Sequence, residues 1–314
     1  MACTKETVKS SGLNIWCSET RPGPAPEVDI VAVQGLGAHP FYTWVKKAPA
    51  PRVVASKRLR SKALFWKDKK TQGNDKNDGS TEVMWPRDLL LPLFKNARIA
   101  TYSYESDWRD KKAACEFKPP DNRCDWPSPS LKQAQQQERQ RPLILIGHSL
   151  GGLVIQQALV IAVHQRGFTD IRLSVAGIIF LGAPFQGSDA AVYGKWLAQL
   201  ARLDSTLLES LEKDSPSLHA LSSDFWHSYS DWDIVCFYEN RDADYGPWKA
   251  RFVSAQSASL LGKRMMFLNT DHSGLNKFSG MDDENFALLL PEIRRMVEGG
   301  NSVVIDRHRR QGTE

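Results

Sequence analysis

The chain has 314 residues, 41 Lys+Arg, 36 Asp+Glu and a formal net charge of +5; 41% of its residues are hydrophobic and 25% charged. That composition excludes a collagen-like, disulfide-scaffold or wholly disordered protein, and a chain this long buries a sizeable core without staples or metals. A net charge this small does not by itself argue for nucleic acid. Short apolar runs then alternate with helical stretches, the pattern of a parallel sheet covered by helices. VDIVAV (28–33) is a buried strand that ends at Gln34-Gly35-Leu36-Gly37. Residues 84–94 have helical spacing, and ARIATYSY (97–104) is a strand rich in β-branched and aromatic residues. LILI (143–146) is a fully apolar strand that runs into Gly-His-Ser-Leu-Gly and an apolar helix to about residue 165. VAGIIFL (175–181) is another strand, and residues 196–221 carry Leu at helical spacings. DIVCFY (233–238) and RMMFL (264–268) are two further strands. Residues 285–297 form a closing helix with Phe286, Leu289, Ile293 and Val297 on one face; Pro291 either kinks it or marks its first turn.

Two stretches look like insertions. Residues 46–76 hold eleven basic and two acidic side chains, a net +9, which leaves the rest of the chain at −4. Residues 108–141 carry Pro119-Pro120, Pro127, Pro129 and the run QAQQQERQ, and are expected to be poorly ordered. The chain therefore divides into a segment 1–26 with room for a first strand, one α/β domain at 27–298 with insertions 46–83 and 107–141, and a polar tail at 299–314. Cys3, Cys17, Cys115, Cys124 and Cys236 are scattered and odd in number, and the opening MACTKETVKSSG lacks the apolar core of a secretory signal. A reduced protein of cytoplasmic or other intracellular location is expected. Cys115 and Cys124 lack the spacing and the nearby His of a zinc site, so no metal is expected. No apolar run reaches the roughly 18 residues of a spanning helix.

Gly147-His148-Ser149-Leu150-Gly151 matches G-x-S-x-G between an apolar strand and an apolar helix, which is the context of a nucleophile elbow. The glycines leave room for neighbouring backbone, and the helix N-terminus lends positive potential to a developing oxyanion. A serine hydroxyl needs a base, and in this arrangement the order is Ser, then Asp or Glu, then His. His164 lies one helix away from Ser149, His219 and His227 belong to the Leu-rich helical region, and His308 is in the tail. His272 follows the last strand and opens a loop, which makes it the expected base. His148 occupies the x position and should point away and pack. The acid should end the preceding strand, where Glu239 stands; Asp242 and Asp244, in the same loop, are the alternatives. Leu150 and Leu36 are the expected backbone N–H donors of an oxyanion hole. The Gly-Leu-Gly after the first strand lacks the spacing of a dinucleotide site, so no cofactor is expected.

The blocks VQGLGAHPFYTW, WPRDLLLPLFKNARIATYSYESDW, RPLILIGHSLGGLVIQQAL, GIIFLGAPFQGSD, FYEN and DHSGLNKF occur together and in order. Over roughly residues 12–298 the chain resembles the fungal lipase-like α/β-hydrolases of the serine esterase family, related to the serine-active-site-containing proteins. The resemblance implies an α/β-hydrolase fold: a mostly parallel central sheet covered by helices on both faces, here with a basic loop insertion. It implies Ser149 as nucleophile, His272 as base and Glu239 as acid, acting on a small-molecule or lipid ester. Members of that group usually read HGLGG in the first loop; here Gln34 and Ala38 replace the His and the last Gly. Many members are N-terminal domains of fungal signalling proteins, so an interaction module that keeps the fold is the alternative reading. Residues 196–226, before the acid strand, are placed either to line an acyl-chain site or to fill the core. VVASKRLRSKALFW (53–66) mixes cations with apolar residues, as a peripheral contact with an anionic membrane would need, and no specific nucleic-acid partner is expected.

Overall fold

The computed structural model describes residues 3–16, 26–35, 38–48, 81–104, 141–186, 216–244 and 249–311. The basic stretch from residue 49 onward, the Gln-rich run, the Leu-rich residues 196–215, Leu36, Cys17, Cys115 and Cys124 lie outside the described residues. Seven strands build the central sheet: β1 (Gly12–Ile15), β2 (Val28–Val33), β5 (Ala97–Ser103), β6 (Leu143–His148), β7 (Val175–Leu181), β8 (Ile234–Glu239) and β11 (Arg264–Leu268). Their order is β1-β5-β2-β6-β7-β8-β11, with only the β1–β5 pairing antiparallel. β2, β6 and β7 are buried along their whole length, as continuous apolar runs in a parallel sheet covered on both faces must be.

The pleat divides the core into two layers. Val31, Val33, Leu145 and Ile178 face one side with Leu150 and Leu153 of α1 (Leu150–His164) and Leu218 and Phe225 of α3 (Pro216–Tyr229). Ile30, Ala32, Ile144, Ile146 and Ile179 face the other, against Phe286, Leu289, Ile293 and Met296 of α4 (Glu284–Gln311). Each of those four α4 side chains contributes roughly 1.5–3 kcal/mol of burial. A short α2 (Thr169–Ser174) leads into β7. The segment expected to be helical at 84–94 divides: Thr81–Met84 is strand β4, and only Pro86–Leu90 and Leu91–Leu93 are helical. β4 pairs antiparallel with β3 (Val45–Ala48), so the basic insertion leaves and returns through one two-stranded ribbon. Lys46, on that ribbon, pairs with Asp283.

α4 runs without a break to Gln311, so the closing helix extends beyond residue 297 into the segment expected to be a polar tail (299–314). A Cβ at Gly300 would lie 2.9 Å from the Pro142 side chain, so the glycine lets the helix pack closely there. Val304 is buried beyond it, and Arg307 donates to the Val175 carbonyl with its guanidinium 3.8 Å from the Trp232 ring centre. Pro291 lies well inside this helix, not in its first turn.

β2 pairs with β5 on one side and β6 on the other, so the chain reverses its direction of travel across the sheet at the β2–β6 boundary. In open α/β sheets the crevice at such a point, at the carboxyl ends of the strands, is where ligands bind. Gln34-Gly35 and Ser149 leave the sheet on the two sides of this crevice.

Candidate active site

Ser149 sits between the end of β6 and the start of α1 with φ 53° and ψ −128°. It is the one non-glycine residue with positive φ among the described residues. Holding an L-residue there costs about 1–3 kcal/mol, which the surrounding packing must supply. Part of that support is the Ser149 N–H donating to the Leu181 carbonyl at 2.9 Å. Another part is close approach: a Cβ at Gly151 would lie 2.4 Å from the carbonyl oxygens of both Val33 and Gln34, so α1 presses directly on the end of β2. The first four N–H groups of a helix have no intrahelical acceptor, so the Leu150 N–H at the head of α1 is free to serve a ligand.

His272 opens a short helical turn just after β11, and its side chain reaches back under the elbow. Its Nε2 lies 3.0 Å from Ser149 Oγ, and its Nδ1 lies 3.2 Å from Glu239 Oε2. The carboxylate accepts only, which puts the ring proton on Nδ1 and leaves Nε2 to accept from the serine. Glu239 is 0% exposed at the tip of β8, and its other oxygen accepts from the Val253 N–H at 2.6 Å. Neighbouring parallel strands β8 and β11 thus bring Glu239 and His272 together, and Asp271 is spent elsewhere, capping the turn through Gly274 N–H and Ser273 Oγ at 3.0 Å each.

The alternative acids stand apart from this arrangement. Asp242 pairs with Arg251 and Asp244 with Lys249, both on exposed side chains. Leu36 lies outside the described residues, but its neighbour Gly35 is against Ser149: a Cβ there would sit 3.2 Å from Ser149 Cβ. His164 ends α1, His219 and His227 lie exposed on α3, and His308 is on α4.

His148 is buried, as expected for the x position, but it packs toward the site and not away from it. Its ring centre is 5.2 Å from that of His272, and its Nε2 is 3.3 Å from the His272 carbonyl oxygen, to which it donates. Burial, and after it the charge His272 can carry, holds His148 well below the usual histidine range, so it stays neutral. Two contacts could not be found in the sequence. The Phe252 ring stacks on His272, and the Val253 N–H supports Glu239; both arrive through a hairpin of two-residue strands that has no periodicity to detect. Among the described residues no three His, Cys, Asp or Glu side chains gather as a metal site would require, and no helix there is long and apolar enough to cross a membrane.

A buried Ser–His–Glu hydrogen-bond relay at a strained strand-to-helix turn, on a sheet of this order, defines the class: an α/β-hydrolase fold. The model of the alpha/beta hydrolase family matches residues 78–304, and the chain belongs to that family. Among curated relatives it is 24% identical over 274 residues to protein SERAC1 of Danio rerio and 26% identical over 254 residues to protein SERAC1 of Mus musculus. These alignments take in 85% and 79% of this chain but only 38% and 36% of the relatives, so it spans little more than a third of their length. Among solved structures, phospholipase PlaB from Legionella pneumophila is similar in fold, with a TM-score of 0.51 at 11% identity over 91% of this chain and 65% of that one. Lipase BlEst2 of Bacillus licheniformis in its mature form gives a TM-score of 0.48 at 18% identity over 89% of this chain and 96% of that one.

Proposed function

We propose that this chain is a cofactor-free serine hydrolase that cleaves a carboxylic ester of a small molecule or lipid through an acyl-enzyme. One observation carries the reading: the Ser149 Oγ to His272 Nε2 contact of 3.0 Å, continued through Nδ1 to a fully buried Glu239. In the first half-reaction Ser149 Oγ forms a bond to the ester carbonyl carbon while its proton passes to His272 Nε2. The Leu150 N–H, with the Leu36 N–H as its partner, holds the oxyanion. The carbon–oxygen bond to the alcohol then breaks, and the alcohol leaves with the proton from Nε2. Water repeats the sequence on the acyl-serine, releasing acid and free Ser149. Glu239 holds the imidazole in the required tautomer and stabilises its charged form throughout.

Hydrolysis of p-nitrophenyl esters of graded acyl length tests the reading, with Ser149→Ala as control. Turnover that disappears in the variant supports it, and equal turnover in both refutes it. A peripheral contact of residues 46–76 with anionic lipid belongs to the same proposal. Co-sedimentation with phosphatidylglycerol vesicles that is unchanged after deletion of 49–76 contradicts that part.

A further inference from the structure

The expected base is held from a direction that no motif discloses. The Phe252 ring is buried and lies stacked on the His272 imidazole, with centroids 4.4 Å apart and planes 28° from parallel. The next residue acts on the acid, the Val253 N–H donating to Glu239 Oε1 at 2.6 Å. One dipeptide therefore touches both members of the His272–Glu239 pair. A hairpin delivers it: β9 (Ala243–Asp244) and β10 (Lys249–Ala250) pair Ala243 with Ala250 and Asp244 with Lys249, turning the chain back toward the tip of β8.

We propose that Phe252-Val253 is a bracket that sets the plane of the His272 ring, with Phe252 a positioning residue for proton transfer. The proposal rests on the acyl-transfer reading above. An imidazole hangs from two soft torsions, and one hydrogen bond at Nδ1 leaves it able to swing about that bond. A flat ring packed on its face removes the swing, because tilting either opens a gap or drives atoms into Phe252. Nε2 is then kept within reach of Ser149 Oγ. A second contribution follows from charge. As the serine proton arrives at Nε2 the ring becomes a cation, and the electron-rich face of Phe252 favours the cation over the neutral ring. That preference is larger in the transition state than in the ground state, which is the condition for it to accelerate the reaction.

Leucine or methionine at 252 keeps apolar volume and removes the aromatic face, whereas tyrosine restores the face. For variants whose melting midpoints stay near wild type, kcat for a soluble p-nitrophenyl ester should fall roughly 10- to 100-fold in Phe252→Leu and Phe252→Met with little change in KM, and recover in Phe252→Tyr. Wild-type kcat in the Leu or Met variant overturns the bracket. NMR of the ring gives a readout independent of turnover. In the wild type the carbon-bound protons of His272 should be shifted upfield by the Phe252 ring current, and the Nδ1–H resonance should be sharp and far downfield. The Leu variant should lose both features. Absence of the upfield shift in the wild type, or a Leu variant with an unchanged Nδ1–H signal, refutes the proposal. If the wild type shows these signals but turns over no ester, the acyl-transfer reading fails while the bracket stands on the NMR result alone.

Discussion

Replacing Glu239 by Gln is the sharpest perturbation of the site, because the amide has no orientation that keeps both hydrogen bonds as they stand. The carboxylate is 0% exposed and accepts from two donors, the His272 Nδ1–H at 3.2 Å and the Val253 N–H at 2.6 Å. A Gln side chain of the same shape has one acceptor oxygen and one NH2 group. If the oxygen faces His272, the NH2 meets the Val253 N–H donor to donor, and a buried unsatisfied pair costs about 1–3 kcal/mol of stability. If the oxygen faces Val253, the NH2 meets Nδ1, and the ring proton must move to Nε2. Folding then loses little, but Nε2 presents a hydrogen to Ser149 and cannot take one. The second orientation is the cheaper for folding. Glu239→Gln should therefore melt within a few degrees of wild type and lose about three to four powers of ten in kcat, the scale set by a wrong histidine tautomer. Asp242→Asn and Asp244→Asn should each stay within about twofold of wild type, since both pair with exposed cations, where ion pairs contribute at most about 1 kcal/mol. Steady-state hydrolysis of a p-nitrophenyl ester, with a thermal melt of each variant, checks both. Near-wild-type turnover in Glu239→Gln, or a collapse in Asp242→Asn, refutes this reasoning.

Two further outcomes follow from neighbouring groups. In Gly151→Ala the new methyl would lie 2.4 Å from two backbone oxygens of the β2 end, so the helix must move. Overpacking of about 1–3 kcal/mol outweighs a helix-propensity gain of at most about 1 kcal/mol, and the melting midpoint should drop by several degrees with loss of activity; an unchanged midpoint contradicts the close approach. His148 supplies a pH dependence. It is held neutral in the folded chain, whereas the unfolded chain protonates it near the ordinary histidine pKa of about 6.5, so the unfolded state binds more protons as pH falls below that value. Stability is thus lost toward acid, by about 1.4 kcal/mol one unit below the unfolded pKa, or roughly 3 °C. His148→Gln keeps a donor for the His272 carbonyl and abolishes the titration. Its melting midpoint should fall less than that of the wild type between pH 7.5 and 5.5, and parallel profiles contradict a neutral, buried His148.

The sheet was legible because its central strands are buried on both faces and read as unbroken apolar runs. VDIVAV and VAGIIFL form with the predicted bounds, and LILI extends only through Gly147-His148. Ser149 and Glu239 were legible for a related reason, since each stands at the carboxyl end of such a strand, where position is set by the sheet; His272 was legible only from its place in the loop after β11, an edge strand that is largely exposed. What escaped was whatever depends on contact between distant segments. The close packing of Gly300 on Pro142 joins segments far apart in sequence, and the β3–β4 ribbon pairs residues more than thirty apart. His148 packs toward the site through contacts with His272, a segment more than a hundred residues away, which no local pattern discloses. Phe252 and Val253 follow a hairpin whose strands are two residues long, too short for any pattern to register.

The central claim is that Ser149 is a nucleophile activated by His272, and a fluorophosphonate probe tests it most directly because it needs no knowledge of the substrate. Folded wild-type protein should gain one probe mass, carried on the peptide that contains Ser149. Ser149→Ala should gain none, and His272→Ala should react far more slowly. Folded wild type that stays unlabelled, or a Ser149→Ala variant labelled to the same extent, would contradict the account.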